Sequence, residues 1–294
     1  MEKSVLLIAR EAPLALIRKY EKKNKCKISD TDMYDVIMEL STSYTDYRAL
    51  CQSSSVDFND RRYQAAYMFQ YFSTLCYSVG YGIRRLNLDP SVWHQEGEQG
   101  DLNLKVCSIG GGPGTDVLGL YIYLQSLLKR RSRNVVLDAT VIDKYRRWKG
   151  AWRAVKDQLR PIDSDRIHIR YRRHDINCLA TEGIKSRVSE ADIILMYKFV
   201  SAAKGLRHFK HNLKCLLRNA SKSSYLIYGD NLHGGNTEVL LEIASASGFK
   251  VIKKYKEKQF NPVQEEEYLD ELVQRYEYNY QKLLDMQFMI LKKD

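Results

Sequence analysis

The chain has 294 residues, 44% of them hydrophobic, and its 47 Lys and Arg against 36 Asp and Glu leave a net charge of +11. That apolar content, with 21 tyrosines and only 5 prolines, excludes a disordered chain. The length allows one large or two modest domains with a core that needs no covalent staples, and the absence of low-complexity tracts and short repeats excludes fibres and solenoids.

The first twenty residues, MEKSVLLIAREAPLALIRKY, hold an apolar patch broken by Arg10 and Glu11 and offer no small-residue cleavage site, so they predict a helix rather than a signal peptide. Apolar runs such as AAYMF at 65–69 and ADIILMY at 191–197 fall far short of the roughly 20 residues a spanning helix needs. No membrane segment is expected, and the location expected is cytosolic or nuclear. Cysteines 26, 51, 76, 107, 178 and 215 form no CxxC pair and predict reduced thiols, mostly in apolar surroundings.

Residues 33–52 and 61–86 carry apolar and aromatic side chains at helical spacing. Tyr63, Tyr67 and Tyr71 recur every four residues, which predicts one shared helix face. The stretch LDPSVWHQEGEQGDLN at 88–103, with Pro90 and two glycines, marks a boundary between a helical domain or lid over 1–100 and a second domain over 101–294.

After it the pattern alternates. Strands are expected at 104–109, 135–142, 167–173, 191–197, 223–230, 249–255 and 286–293, separated by helical stretches, the last of them the amphipathic segment at 265–284. This alternation predicts a doubly wound α/β fold, a seven-stranded, mostly parallel sheet of Rossmann-like type covered by helices on both faces. In such a sheet ligands bind at the carboxyl ends of the strands, where the strand order switches direction.

Charge is uneven along the chain. Residues 1–100 hold 13 basic and 13 acidic side chains, whereas residues 129–173 hold 15 basic and 5 acidic, a surplus of 15 − 5 = 10. Tyr145, Trp148 and Trp152 are interleaved with these cations, a pairing suited to phosphates and unpaired bases. The expected RNA surface comprises Lys129, Arg130, Arg131, Arg146, Arg147 and Lys149. The aromatic helix at 60–82 is expected to be core or lid. His208 and His211 stand three apart without a further ligand at metal-binding spacing, so no metal is expected.

The most informative string is SIGGGPGTD at 108–116, where glycines 110, 111, 112 and 114 follow an apolar strand and open a helix. Missing Cβ atoms there let a backbone approach a ligand closely. The dinucleotide fingerprint GxGxxG would need glycine where Thr115 stands, and a phosphate-binding P-loop would need lysine after Gly114.

What remains, an apolar strand, GxGxG, a helix and then Asp143 at the end of the second strand, resembles the class I S-adenosylmethionine-dependent methyltransferases over residue 104 onward. The resemblance implies that Gly110, Gly111, Gly112 and Gly114 pack on the methionine part of S-adenosyl-L-methionine. It implies further that Asp143, with Lys144 beside it, takes the ribose hydroxyls, and that Asp175 and Ile176 of HDIN flank the adenine. Asp116 is also expected at the cofactor. Tyr197 and Lys198, at the end of the fourth strand, would face the methyl group and serve as catalytic residues, and Tyr197, Lys198 or Asp116 could take the acceptor's proton.

The sequence departs from the family in two places. Ser108 stands where an acidic residue is usual two positions before the first glycine. The fourth motif lacks Asp/Asn-Pro-Pro-Tyr/Phe, which argues against methylation of exocyclic base amines, and no cysteine follows a proline, which argues against the covalent pyrimidine mechanism. SIGGGPGTD with VIDKYRRW is also similar to the eukaryotic proteins related to ribosomal RNA uridine-N3 methyltransferases. The expected activity is methyl transfer, with RNA as acceptor. The alternatives are a small-molecule or protein acceptor, or a silent module that only binds the cofactor.

Overall fold

A computed structural model describes residues 2–45, 56–88, 92, 100–128, 133–261, 274–276 and 284–294. Cys51, Lys129, Arg130, Arg131 and most of the segments at 88–103 and 265–284 lie outside the described residues.

Among the described residues, helices α1 (Glu2–Asn24), α2 (Asp30–Thr45), α3 (Arg61–Tyr67) and α4 (Ser73–Arg85) precede the sheet. Between α3 and α4 the chain makes a π turn over Met68–Phe72, so the two run on with one wide turn between them. Asp60 caps α3, its carboxylate accepting from the Arg62 amide at 2.8 Å.

Then follow β1 (Leu102–Ile109), α5 (Thr115–Leu128), β2 (Val135–Asp143), α6 (Trp148–Lys156), the short α7 (Pro161–Ser164), β3 (Ile167–Arg173), α8 (Glu182–Ser189) and β4 (Ile193–Tyr197). The chain continues through α9 (Phe199–Ala203), α10 (Phe209–Leu217), β5 (Tyr225–Asn231), α11 (Asn236–Ser245), β6 (Phe249–Phe260) and β7 (Leu284–Lys293). The seven strands lie in the order β3-β2-β1-β4-β5-β7-β6, and β7 runs antiparallel to both of its neighbours. This is the doubly wound, mostly parallel sheet that the alternation predicts, and the fold is Rossmann-like. Its order reverses between β1 and β4, which opens a crevice at their carboxyl ends.

Alternation along the strands divides the core. Leu104 and Val106 of β1, Ile193 and Leu195 of β4 and Ile227 of β5 point to the face covered by α5, α6 and the N-terminal helices. Cys107, Ile109, Ile194, Met196 and Leu226 point to the face covered by α8, α10 and α11. Buried residues of α1 to α4, such as Val5, Ile37, Phe69 and Val79, belong to the same continuous core as the first sheet face. The N-terminal helices therefore pack directly beside the carboxyl ends of the strands.

Trp148 and Trp152 are 3% and 4% exposed, on the inward stripe of α6 with Ala151 and Val155. Both are packed into the core, with Trp148 also lining the cavity described below, so neither is the exposed platform for unpaired bases that the interleaving suggests. Two cations of this segment pair with carboxylates inside it, Arg170 with Asp138 and Arg160 with Asp163 at 2.7 Å, and the surplus of ten already counts both carboxylates. The far edge strand β6 exposes Lys250, Lys253, Lys254, Lys256 and Lys258, a charge pattern that discourages edge-to-edge pairing. Of the described cysteines only Cys76 and Cys107 are buried, while Cys26 and Cys178 are exposed.

Candidate functional site

The turn after β1 is tied to the neighbouring strand before any side chain contributes. The Gly110 amide donates to the Ile142 carbonyl at 2.8 Å, and the Gly114 amide to the Gly111 carbonyl at 2.8 Å. Gly110 sits at φ +70°, and a Cβ there would overlap the Phe199 ring, standing 2.8 Å from Cγ. Both facts require glycine at this position. Phe199 in turn is set by Lys198, which enters α9 in the left-handed region at φ 52° while its amide donates to the Gly229 carbonyl at 2.8 Å.

Asp143 ends β2 and closes the turn. Its carboxylate accepts from the Gly112 amide at 3.1 Å and from the Tyr145 amide at 2.9 Å. Burial pushes its pKa up to about 6, against the lowering effect of the two amide bonds. A carboxylate offers about four lone-pair sites, so about two remain for a ligand.

Gly110, Gly112, Asp143 and Lys144 lie along a cavity of about 660 Å³. Asp175 and Ile176 border the same space; the Asp175 carboxylate accepts from the Asn177 amide at 2.9 Å, and Ile176 is 6% exposed. His174, which the motif reading passed over, also lines it. Its amide donates to the Asp143 carbonyl at 2.9 Å, its Nε2 is buried without a hydrogen-bond partner, and burial lowers its pKa.

At the other end stand Tyr197 and Lys198 at the tip of β4, with Asn231 ending β5 and His233 and Asn236 following it. These last three were not anticipated, because only the pairing of β5 with β4 brings them to the cavity. The Lys198 ammonium donates to Asn231 Oδ1, and burial lowers its pKa while Asp230 and Asp285 oppose that. Asp230 is fully buried and accepts from the Ser201 amide at 3.0 Å and the Asn231 amide at 2.7 Å. Tyr197 is 7% exposed, its hydroxyl has no hydrogen-bond partner, and burial raises its pKa well above the usual phenol range.

The N-terminal helices supply a third wall, in which Tyr67, Gln70 and Tyr71 line the cavity. Tyr67 lies 5.4 Å from the Tyr71 ring and 5.4 Å from Trp148, and Phe58 lies 4.9 Å from Trp148. Tyr63 is not among the lining residues; its hydroxyl donates to Glu39 on α2. The expected common face thus holds for Tyr67 and Tyr71 toward the cavity and not for Tyr63.

Three further residues fall elsewhere than the motif reading expects. Gly111, Gly114 and Asp116 do not line the cavity: they lie on the inner side of the turn, where Asp116 is 3% exposed. Arg146 and Lys149 are exposed, while Arg147 donates to the Asn59 carbonyl at 2.8 Å and so helps hold the N-terminal helices. No group of three or more His, Cys, Asp or Glu that could hold a metal is found among the described residues. No helix among them is long and apolar enough to cross a membrane.

No family model and no curated protein matches the chain. Solved structures with similar folds include the [4+2]-cyclase SpnF, with a TM-score of 0.44 and 15% identity over 89% of this chain and 93% of that one. A SAM-dependent methyltransferase from Methanosarcina mazei gives a TM-score of 0.43 and 11% identity over 70% and 98%. An arsenic(III) S-adenosylmethionine methyltransferase from Chlamydomonas reinhardtii gives 0.41 and 10% over 72% and 73%.

Proposed function

We propose that the chain is an S-adenosylmethionine-dependent methyltransferase with RNA as its acceptor. The observation that carries the cofactor reading is the closed link between the glycine turn and Asp143: the Gly112 amide holds one carboxylate oxygen and leaves acceptor sites at the rim of the cavity. Those sites fit a pair of ribose hydroxyls. Ile176 offers an apolar surface and Asp175 a carboxylate for an adenine, and the bare backbone at Gly110 and Gly112 admits a chain laid against it.

When bound, the cofactor supplies an electrophilic methyl group whose C–S bond breaks, with the pair left on sulfur, as an acceptor lone pair forms the new bond. The residues of this chain orient the partners and handle the proton, which is where much of the acceleration of such a displacement lies. Lys198, whose ammonium donates to Asn231 Oδ1 and which burial makes less basic than a free lysine, takes a proton from a weakly acidic acceptor only after losing its own. Tyr197, whose phenol is held protonated and whose hydroxyl is left unbonded, is free to donate a hydrogen bond to the acceptor instead.

RNA as acceptor is supported by the placement of cations around the cavity. Lys144 and Arg146 follow β2 closely, and Arg172 and Arg173 end β3 just before His174 and Asp175. The wall formed by Tyr67, Gln70 and Tyr71 favours the second reading, a small acceptor enclosed between the helices and the sheet. Incubation with methyl-labelled cofactor and, separately, total RNA, small metabolites and protein extract tests the choice. Label in RNA is expected; label confined to metabolites or protein removes RNA and leaves methyl transfer in place.

A further inference from the structure

Ser108 stands on β1 where a carboxylate is usual in the family that the motif resembles, and the structure shows what occupies the gap. The Ser108 hydroxyl, fully buried, donates to Asp116 Oδ2 at 2.6 Å, and Asp116 Oδ1 accepts from the Val117 amide at 2.9 Å. Asp116 reaches this place from the first turn of α5, so its carboxylate lies under the glycine turn. Contact between the layers is close: a Cβ on Gly111 would overlap Ser108 Oγ and stand 3.2 Å from Asp116 Oδ1.

We propose that Asp116 is a positioning residue that supplies, through Ser108 and from beneath the turn, the negative charge that favours a cationic methyl donor over its neutral demethylated product. The inference rests on the cofactor reading above and refines it, because Asp116 acts without touching the ligand. Among the described residues no cation is bonded to the Asp116 carboxylate, whose bonds run to the Ser108 hydroxyl and the Val117 amide. The charge is therefore left to act on what lies across the turn, and burial strengthens that field. S-adenosylmethionine carries a sulfonium that S-adenosylhomocysteine lacks, so the two ligands differ by one positive charge at otherwise similar contacts. A negative site that separates them helps the product leave after transfer.

The test is calorimetric titration of the full chain with each ligand at pH 8. Asp116→Asn keeps the shape of the side chain and removes its charge. The expected result is an affinity for S-adenosylmethionine lowered about tenfold, of the order of one buried charge, with S-adenosylhomocysteine changed by less than about threefold. Exchanging the pair, Ser108→Asp with Asp116→Ser, returns one carboxylate to the same layer and should restore the wild-type ratio. Equal weakening of both ligands in a folded Asp116→Asn would assign the residue to turn structure alone and overturn the proposal, as would an unchanged ratio. If Asp116→Asn does not fold, the exchanged pair decides: a wild-type ratio supports the charge, and a lost preference rejects it. Wild-type protein that binds neither ligand would instead refute the cofactor reading, a result distinct from any of these.

Discussion

Adding one methyl group at Gly110 tests how the turn, α9 and the cavity are coupled. Alanine at φ +70° occupies the left-handed region, which costs about 1 to 2 kcal/mol for an L residue. Its Cβ would overlap the Phe199 ring and stand 2.8 Å from Cγ, and inserting a methyl into so tight a contact costs about 1 to 3 kcal/mol more. Gly110→Ala should therefore lower stability by about 2 to 5 kcal/mol, a fall in Tm of roughly 5 to 15 °C for a chain of this size. Denaturant unfolding of Gly110→Ala, Phe199→Ala and the double variant separates the two contributions. Without the ring only the backbone cost should remain, so the cycle should return a coupling of about 1 to 3 kcal/mol. A Gly110→Ala protein as stable as wild type, or a coupling near zero, would refute the claim that the ring seats on the glycine.

Asp116 titrates at about 6 rather than 3.8 because it is buried. The native state therefore binds more protons than the unfolded state between those values, and the stability contributed by this group is full below 3.8, falls as pH rises through about 6 and levels off above it. Wild type should lose about 2 to 3 kcal/mol relative to Asp116→Asn between pH 4 and pH 8, measured by urea unfolding at each pH. Asp143, Ser108, Cys76, Cys107, Tyr67, Tyr171 and Tyr197 share its surroundings and are common to both proteins. Cofactor affinity should move the other way: it needs an ionised Asp143, whose pKa is also about 6, and should decline as pH drops from 8 to 5 in calorimetry. Trp148→Ala should cost about 3 to 5 kcal/mol of stability, because the ring is 3% exposed, and leave the RNA affinity of the folded protein unchanged in filter binding. Reversing Arg146 and Lys149 to Glu, with Arg147 kept for its bond to Asn59, should weaken RNA binding and flatten its dependence on log salt by about 1.5.

The parts of this molecule legible in the sequence are those fixed by short-range chemistry. Short runs rich in apolar and β-branched residues, alternating in β3 and continuous in β4, mark β2, β3 and β4 to within a residue or two, and the glycines of SIGGGPGTD mark the turn because few other functions use four in five positions. Asp143 follows from its place at a strand end. What was not legible depends on contacts made across the topology. Asn231, His233 and Asn236 reach the cavity only because β5 lies beside β4. The π turn over Met68–Phe72 leaves no composition signature, since its residues suit an α-helix equally well. Trp148 and Trp152 illustrate a signal present but outweighed: their spacing of four, shared with Ala151 and Val155, marks a buried stripe, while the cations around them suggest an exposed one. Asp116 belongs to the motif, and only the bond from Ser108 shows that its carboxylate lies beneath the glycine turn and not along the cavity.

The account turns on a cofactor seated between the glycine turn and Asp143, and the most direct measurement is titration calorimetry of S-adenosylmethionine into wild type and Asp143→Ala. The structure predicts one site per chain in the wild type. In a folded variant, which lacks the acceptors for the ribose and the bond from the Gly112 amide, it predicts an affinity at least about tenfold lower. Equal affinity in the two proteins, or no binding to wild type, would contradict it.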